Sequence, residues 1–197
     1  TLPLRPLPGS GLRVSACCLG ASGFGTRVSA EAADRLVGAF LDAGGTAFDT
    51  AHVYSCWLEG GAGASERALG EVIRRHASRD RVVVATKGGH PALPPHYPRP
   101  DRYLAPEVIA GDLDDSLARL RMDAVDLFFL HRDDPRVPVG EIVETLNAEI
   151  ARGRIRALGA SNWSVSRLAA ANVYAAAHGL HGFVVSQPQC SLAESNM

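Results

Sequence analysis

The stretch GGTAFDTAHVY, residues 44–54, decides how the chain folds. Its two glycines stop a helical pattern over Glu31–Ala43 (EAADRLVGAFLDA), and Thr46–Phe48 then reads as a short buried strand. That strand ends on an acid, Asp49, and a tyrosine, Tyr54, follows five positions later. A single polar strand end is ordinary, because chains leave a core through polar residues. It becomes informative only if other strands end the same way.

They do. Strand-like runs at Val14–Leu19, Arg81–Thr86 (RVVVAT), Val125–Leu130 (VDLFFL), Ile155–Ala160 and Phe183–Ser186 alternate with helical patterns. The helices are Ser65–His76, opened by a serine N-cap; Pro106–Leu120, with proline at its start; Pro138–Ala151, ended by Gly153; and Ser164–His178, alanine-rich and ending at Gly179. Strand and helix alternating without hairpin signals means βαβ units and a parallel sheet. From the second strand onward each strand is followed by a polar residue: Asp49, Lys87, His131, the pair Ser161-Asn162, and Gln187. In a parallel barrel those carboxyl ends converge on one face, so distant residues meet around one pocket.

Composition narrows the class. The chain has 197 residues, 46% hydrophobic and 21% charged, which fits one globular domain (1–197). A formal net charge of -1, with no basic block, gives no electrostatic footprint for nucleic acid or an anionic membrane. Cys17, Cys18, Cys56 and Cys190 show no CxxC spacing, and the adjacent pair suits neither a zinc site nor a disulfide framework. No apolar run approaches the roughly twenty residues of a membrane helix, and TLPLRPLPGSG lacks the apolar core of a signal peptide. The expectation is a reduced, cytoplasmic protein.

The converging set has a chemistry. An ammonium beside a phenol favours phenolate, and a carboxylate beside the ammonium holds it in place. Tyr54, Lys87 and Asp49 could form such a group, with His131 orienting a carbonyl oxygen by hydrogen bonding. Taken singly, the acid reads equally well as a helix cap, the lysine as a solvated strand end and the histidine as a merely hydrogen-bonded side chain. Five strand ends with matching chemistry favour the shared site.

These residues carry a resemblance. FDTAHVY, ATKGG, DLFFLHRDD, GASNWS and GFVVSQPQCSLAE are similar, in that order and spacing, to the aldo-keto reductase family, from about Leu12 to the C-terminus. The resemblance implies a (β/α)8 barrel of the TIM type and NADPH-dependent reduction of an aldehyde or ketone. It makes Tyr54 the general acid, Lys87 and Asp49 the groups that tune it, and His131 the carbonyl-orienting residue. Ser161, Asn162 and Gln187 match positions that hold the nicotinamide carboxamide, with Asp49 also near the cofactor ribose. The implied partner is a small-molecule carbonyl substrate, with no metal.

Other motifs read more plainly. HRD at 131–133 matches the start of a kinase catalytic loop, but that loop needs Asn seven positions after the histidine, where this chain has Pro138. Gly60-Gly61-Ala62-Gly63 follows no strand directly and reads as a loop after Tyr54 rather than a phosphate cradle. His90–Pro100 (HPALPPHYPRP) lacks metal-ligand spacing and reads as an ordered surface loop near the pocket. Trp57 and Trp163 follow strand-end motifs and are candidate walls of a substrate pocket, with packing against neighbouring loops as the competing role.

A complete barrel needs about 250 residues and eight strands, whereas six βα strands are legible here. In the family the seventh and eighth strands supply most pyrophosphate and 2'-phosphate contacts. An open six-stranded sheet leaves edges and an apolar interior that something must cover. The alternatives are a fragment of a longer product, for which Leu192-Ala193-Glu194 before the terminal SNM reads as a cut, or a homo-oligomer or partner subunit that completes the barrel. The third is a remodelled, non-catalytic binding or scaffold module that lacks full cofactor binding.

Overall fold

A computed structural model describes residues 1–189 and 191. Six parallel strands, β3 (Cys18–Gly20), β4 (Ala47–Asp49), β5 (Val83–Gly88), β6 (Val125–Leu130), β7 (Ile155–Ser161) and β8 (Phe183–Gln187), pair in sequence order. Helices α1 (Ala30–Asp42), α2 (Ala64–Arg75), α3 (Pro106–Leu120), α4 (Val139–Ala151) and α5 (Val165–Ala177) each connect one strand to the next. The curled sheet is that of a (β/α)8 barrel of which six consecutive βα strands are described. The terminal stretch from Leu192 and Cys190 lie outside the described residues.

The central strands β4 to β7 are buried along nearly their whole length, so apolar residues occupy both of their faces. Val84, Phe128, Leu158 and Phe48 point outward and join the helices' apolar stripes in the main core, with Leu69, Ile73, Leu113, Ile142 and Leu146. Alternate residues Val83, Ala85, Leu127, Phe129 and Ala157 form an inner cluster. Leu12, with Leu7 and Val14 against the same cluster, covers part of that inner face.

Leu12 comes from an element that the sequence reading missed. Leu4–Leu7 (β1) and Leu12–Ser15 (β2) form an antiparallel hairpin, turned at Pro8–Gly11 with Gly9 and Gly11 at φ 77 and 68. The single strand expected over Val14–Leu19 is therefore two, split at Ala16-Cys17. Ser15 makes the break: its Oγ donates to the Cys17 carbonyl at 2.6 Å and accepts the Thr46 N–H at 2.9 Å. The chain leaves the hairpin there and enters the parallel sheet.

The helix ends follow their sequence signals with one correction. Ser29 and Ser164 cap α1 and α5 through their side chains, and Pro106 opens α3. Ser65 is not a cap. It lies inside α2, whose N-cap is Gly63 at φ 70, and its buried hydroxyl donates to the Ala21 carbonyl and pairs with Thr50 Oγ1, both at 2.7 Å.

Candidate active site

The register of the sheet brings the strand ends together. Gly20 pairs with Asp49, Asp49 with Ala85, Gly88 with Leu130, and Ser161 with Gln187. Main-chain bonds continue past the strands: Thr50 N–H donates to the Ala85 carbonyl, His52 N–H to Lys87 and His131 N–H to Gly88, at 2.8 to 2.9 Å. The first loop residues are thus held as firmly as the strands.

Lys87 is the single lysine of the chain and is 2% exposed. A buried ammonium needs a counter-charge and a partner for each N–H. Its Nζ donates to Asp49 Oδ1 and Oδ2 at 2.7 and 2.6 Å, to the Thr50 carbonyl at 2.9 Å and to the Tyr54 hydroxyl at 2.9 Å. An ammonium has no lone pair, so the phenol oxygen must accept. The phenol's own hydrogen therefore points away from Lys87, and no described residue takes it.

Tyr54 is held by the turn that follows β4. Tyr54 N–H donates to the Ala51 carbonyl, and Ser55, at φ 66, bonds through its side chain to the Ser22 carbonyl and to Thr26. Ala51, Val53, Cys56 and Tyr97 pack beneath it as a small apolar cluster.

His131 stands edge-on to Tyr54, ring centroids 5.7 Å apart. Burial first, then the charges of Lys87, His90 and Arg132, pushes the imidazole from its ordinary 6.5 down to about 2, so the ring is neutral at physiological pH. Its Nδ1 is buried with no partner, and we assign the proton to Nε2, which leaves only a lone pair at Nδ1 without one. Tyr54, Lys87 and His131 line a polar opening of about 300 Å³.

Ser161, Asn162 and Gln187 line the same opening, together with Arg132. Ser161 Oγ donates to the Gln187 carbonyl at 3.1 Å. Asn162 sits at φ 58, a left-handed conformation asparagine tolerates better than most residues, and its amide is engaged at both ends, by Ser161 Oγ and by Gln189 N–H. The Gln187 side-chain amide has no partner among the described residues.

The two tryptophans part company. Trp57 is 42% exposed in the loop after Tyr54. Trp163 is buried in the helix-side core, its ring 5.1 Å from Phe183 and under the Arg167 guanidinium, and does not line the opening.

Some contributors were missed in the sequence. The His90–Pro100 segment runs mostly over the surface, as expected, but turns two side chains inward: His90 and Tyr97 are buried, and His90 lies edge-on to His131 at 4.9 Å. Tyr97 OH meets His52 Nδ1 at 2.6 Å, and His52 Nε2 meets Asp115 at 3.0 Å. Nothing local in the sequence marks His52 or Tyr97. Among the described residues no group of three or more His, Cys, Asp or Glu is placed to hold a metal ion, and no helix is long and apolar enough to cross a membrane. Cys17, Cys18 and Cys56 are free.

Parallel barrels keep their chemistry at the carboxyl ends of the strands, and Asp49, Tyr54, Lys87 and His131 stand together at that end of a barrel-type sheet. The chain belongs to the aldo/keto reductase family, whose model matches residues 16–197. It is similar to a 6-dehydroglucose reductase of Novosphingobium aromaticivorans, 41% identical over 74% of this chain and 46% of that protein. An uncharacterized oxidoreductase, YrpG, of Bacillus subtilis is 34% identical over 94% of this chain and 57% of its own length. An aryl-alcohol dehydrogenase [NADP(+)] of Phanerodontia chrysosporium is 31% identical over 96% and 51%. The chain spans about half the length of the curated relatives it matches.

Proposed function

We propose that this chain carries the catalytic groups of an NADPH-dependent reductase that converts an aldehyde or ketone to an alcohol. The observation that supports it most is the polarity of the Lys87 to Tyr54 hydrogen bond, which leaves the phenol proton free toward the opening. Tyr54 is the general acid and gives that proton to the carbonyl oxygen, and the phenolate left behind is held by Lys87 until solvent reprotonates it through the opening. Asp49 pairs with Lys87 through both carboxylate oxygens and holds it in place. His131, neutral, donates from Nε2 to the same carbonyl oxygen and fixes its direction.

The residues present fit a nicotinamide cofactor. A carboxamide requires both a donor and an acceptor, and the unpartnered Gln187 amide offers both beside Ser161 and Asn162. These three would hold it, with Asp49 near the ribose. Bound NADPH would supply the hydride for the carbonyl carbon. The name of the Phanerodontia chrysosporium relative supports NADP as the cofactor. Trp57 would form a wall of the substrate pocket, and Trp163 takes the packing role weighed against that function.

The test is a fluorescence titration of the chain with NADPH, followed by turnover of a carbonyl panel. Saturable binding and reduction that disappears in Tyr54→Phe support the proposal. Full turnover in Tyr54→Phe sinks it, and binding without any turnover favours a non-catalytic module.

A further inference from the structure

Among the residues lining the opening, one charged group has no use in the proposed reduction, Arg132. Among the described residues, the arginines without a carboxylate partner are Arg5, Arg13, Arg27, Arg35, Arg67 and Arg81, all exposed, and Arg132, which is half-buried. Exposed arginines are neutralised by water and salt. A half-buried guanidinium without a counter-charge is costly to keep.

The acids next to it in sequence are committed elsewhere. Asp133 pairs with Arg167 at 3.1 Å, and Asp134 with Arg136 at 2.8 Å. Lys87 is balanced by Asp49, and His131 is neutral, so the charge of Arg132 is uncompensated at the opening. One Arg132 N–H donates to the His131 carbonyl at 3.3 Å, which ties the side chain to the carbonyl-orienting residue and leaves its other donors for a ligand.

We propose that Arg132 is a specificity-determining residue that receives an anionic group, a carboxylate or a phosphate, on the carbonyl substrate. The planar guanidinium matches two oxygens of either group. The proposal rests on the reading of this opening as the carbonyl site.

Calorimetry without cofactor tests it independently of turnover, with 4-carboxybenzaldehyde, 4-formylphenyl phosphate and the neutral isostere 4-formylbenzamide as probes. The expected result is that at least one anion binds roughly tenfold or more tighter than the amide, the effect of a charge-assisted hydrogen bond, and the tighter anion identifies the source. Arg132→Gln should erase that preference, and Arg132→Lys should keep part of it. Equal affinity for all three probes in the unaltered chain, or a preference that survives Arg132→Gln, overturns the proposal. An Arg132-dependent preference in a chain that reduces nothing with NADPH would remove the reductase reading while leaving Arg132 as an anion receptor.

Discussion

Lys87 donates to the hydroxyl of Tyr54 at 2.9 Å and, in the same coordination, to both carboxylate oxygens of Asp49. The ammonium thus fixes the direction of the phenol proton as well as the position of the ring. Tyr54→Phe removes only that hydroxyl. Reduction should fall by about 10² to 10⁴-fold while the thermal midpoint stays close to that of the unaltered chain, as read by steady-state kinetics beside circular dichroism.

The Asp49 and Lys87 pair should behave as one unit. Removing either partner leaves a buried uncompensated charge, so Lys87→Met and Asp49→Asn should each cost about 3–5 kcal/mol. The double variant should lose clearly less than the sum of the two. Urea unfolding of all four proteins measures the coupling, and strict additivity would mean that the charges do not interact.

His131 should make the fold acid-sensitive. Its folded value lies far below the ordinary 6.5, so the unfolded chain binds the proton first. The stability this provides is complete above about pH 6.5 and is lost as pH falls toward 2. Between pH 7.5 and 5 the loss from this one group is up to about 2 kcal/mol. Urea midpoints at the two pH values should therefore differ more for the unaltered chain than for His131→Asn. An equal difference in both would show that burial does not hold the ring neutral.

Asn162 carries a backbone cost that can be isolated. Alanine and glycine both delete its two side-chain hydrogen bonds, but only glycine accepts φ 58 without strain. Asn162→Ala should be less stable than Asn162→Gly by about 1 kcal/mol. If the two variants melt together, the left-handed conformation is not maintained.

Much of this was legible in the chain itself. The order of strands and helices was readable because each strand is a short apolar run and each helix an amphipathic one, signals carried by neighbouring residues. The polar residues after those strands were readable for the same reason, and a parallel sheet places them at one end. The N-terminal hairpin was not readable, because the break depends on Ser15 meeting Thr46, a partner 31 positions away.

By itself, then, the sequence determined the parallel alternation and which residues stand at the strand ends, since both follow from local periodicity. Only the tertiary structure decided how those residues meet. The direction of the Lys87 to Tyr54 bond, the neutral state of His131, the burial of Trp163 and the unmatched charge of Arg132 depend on distances between separate elements. Hydrogen-bond direction, burial and charge balance exist only once the elements have packed.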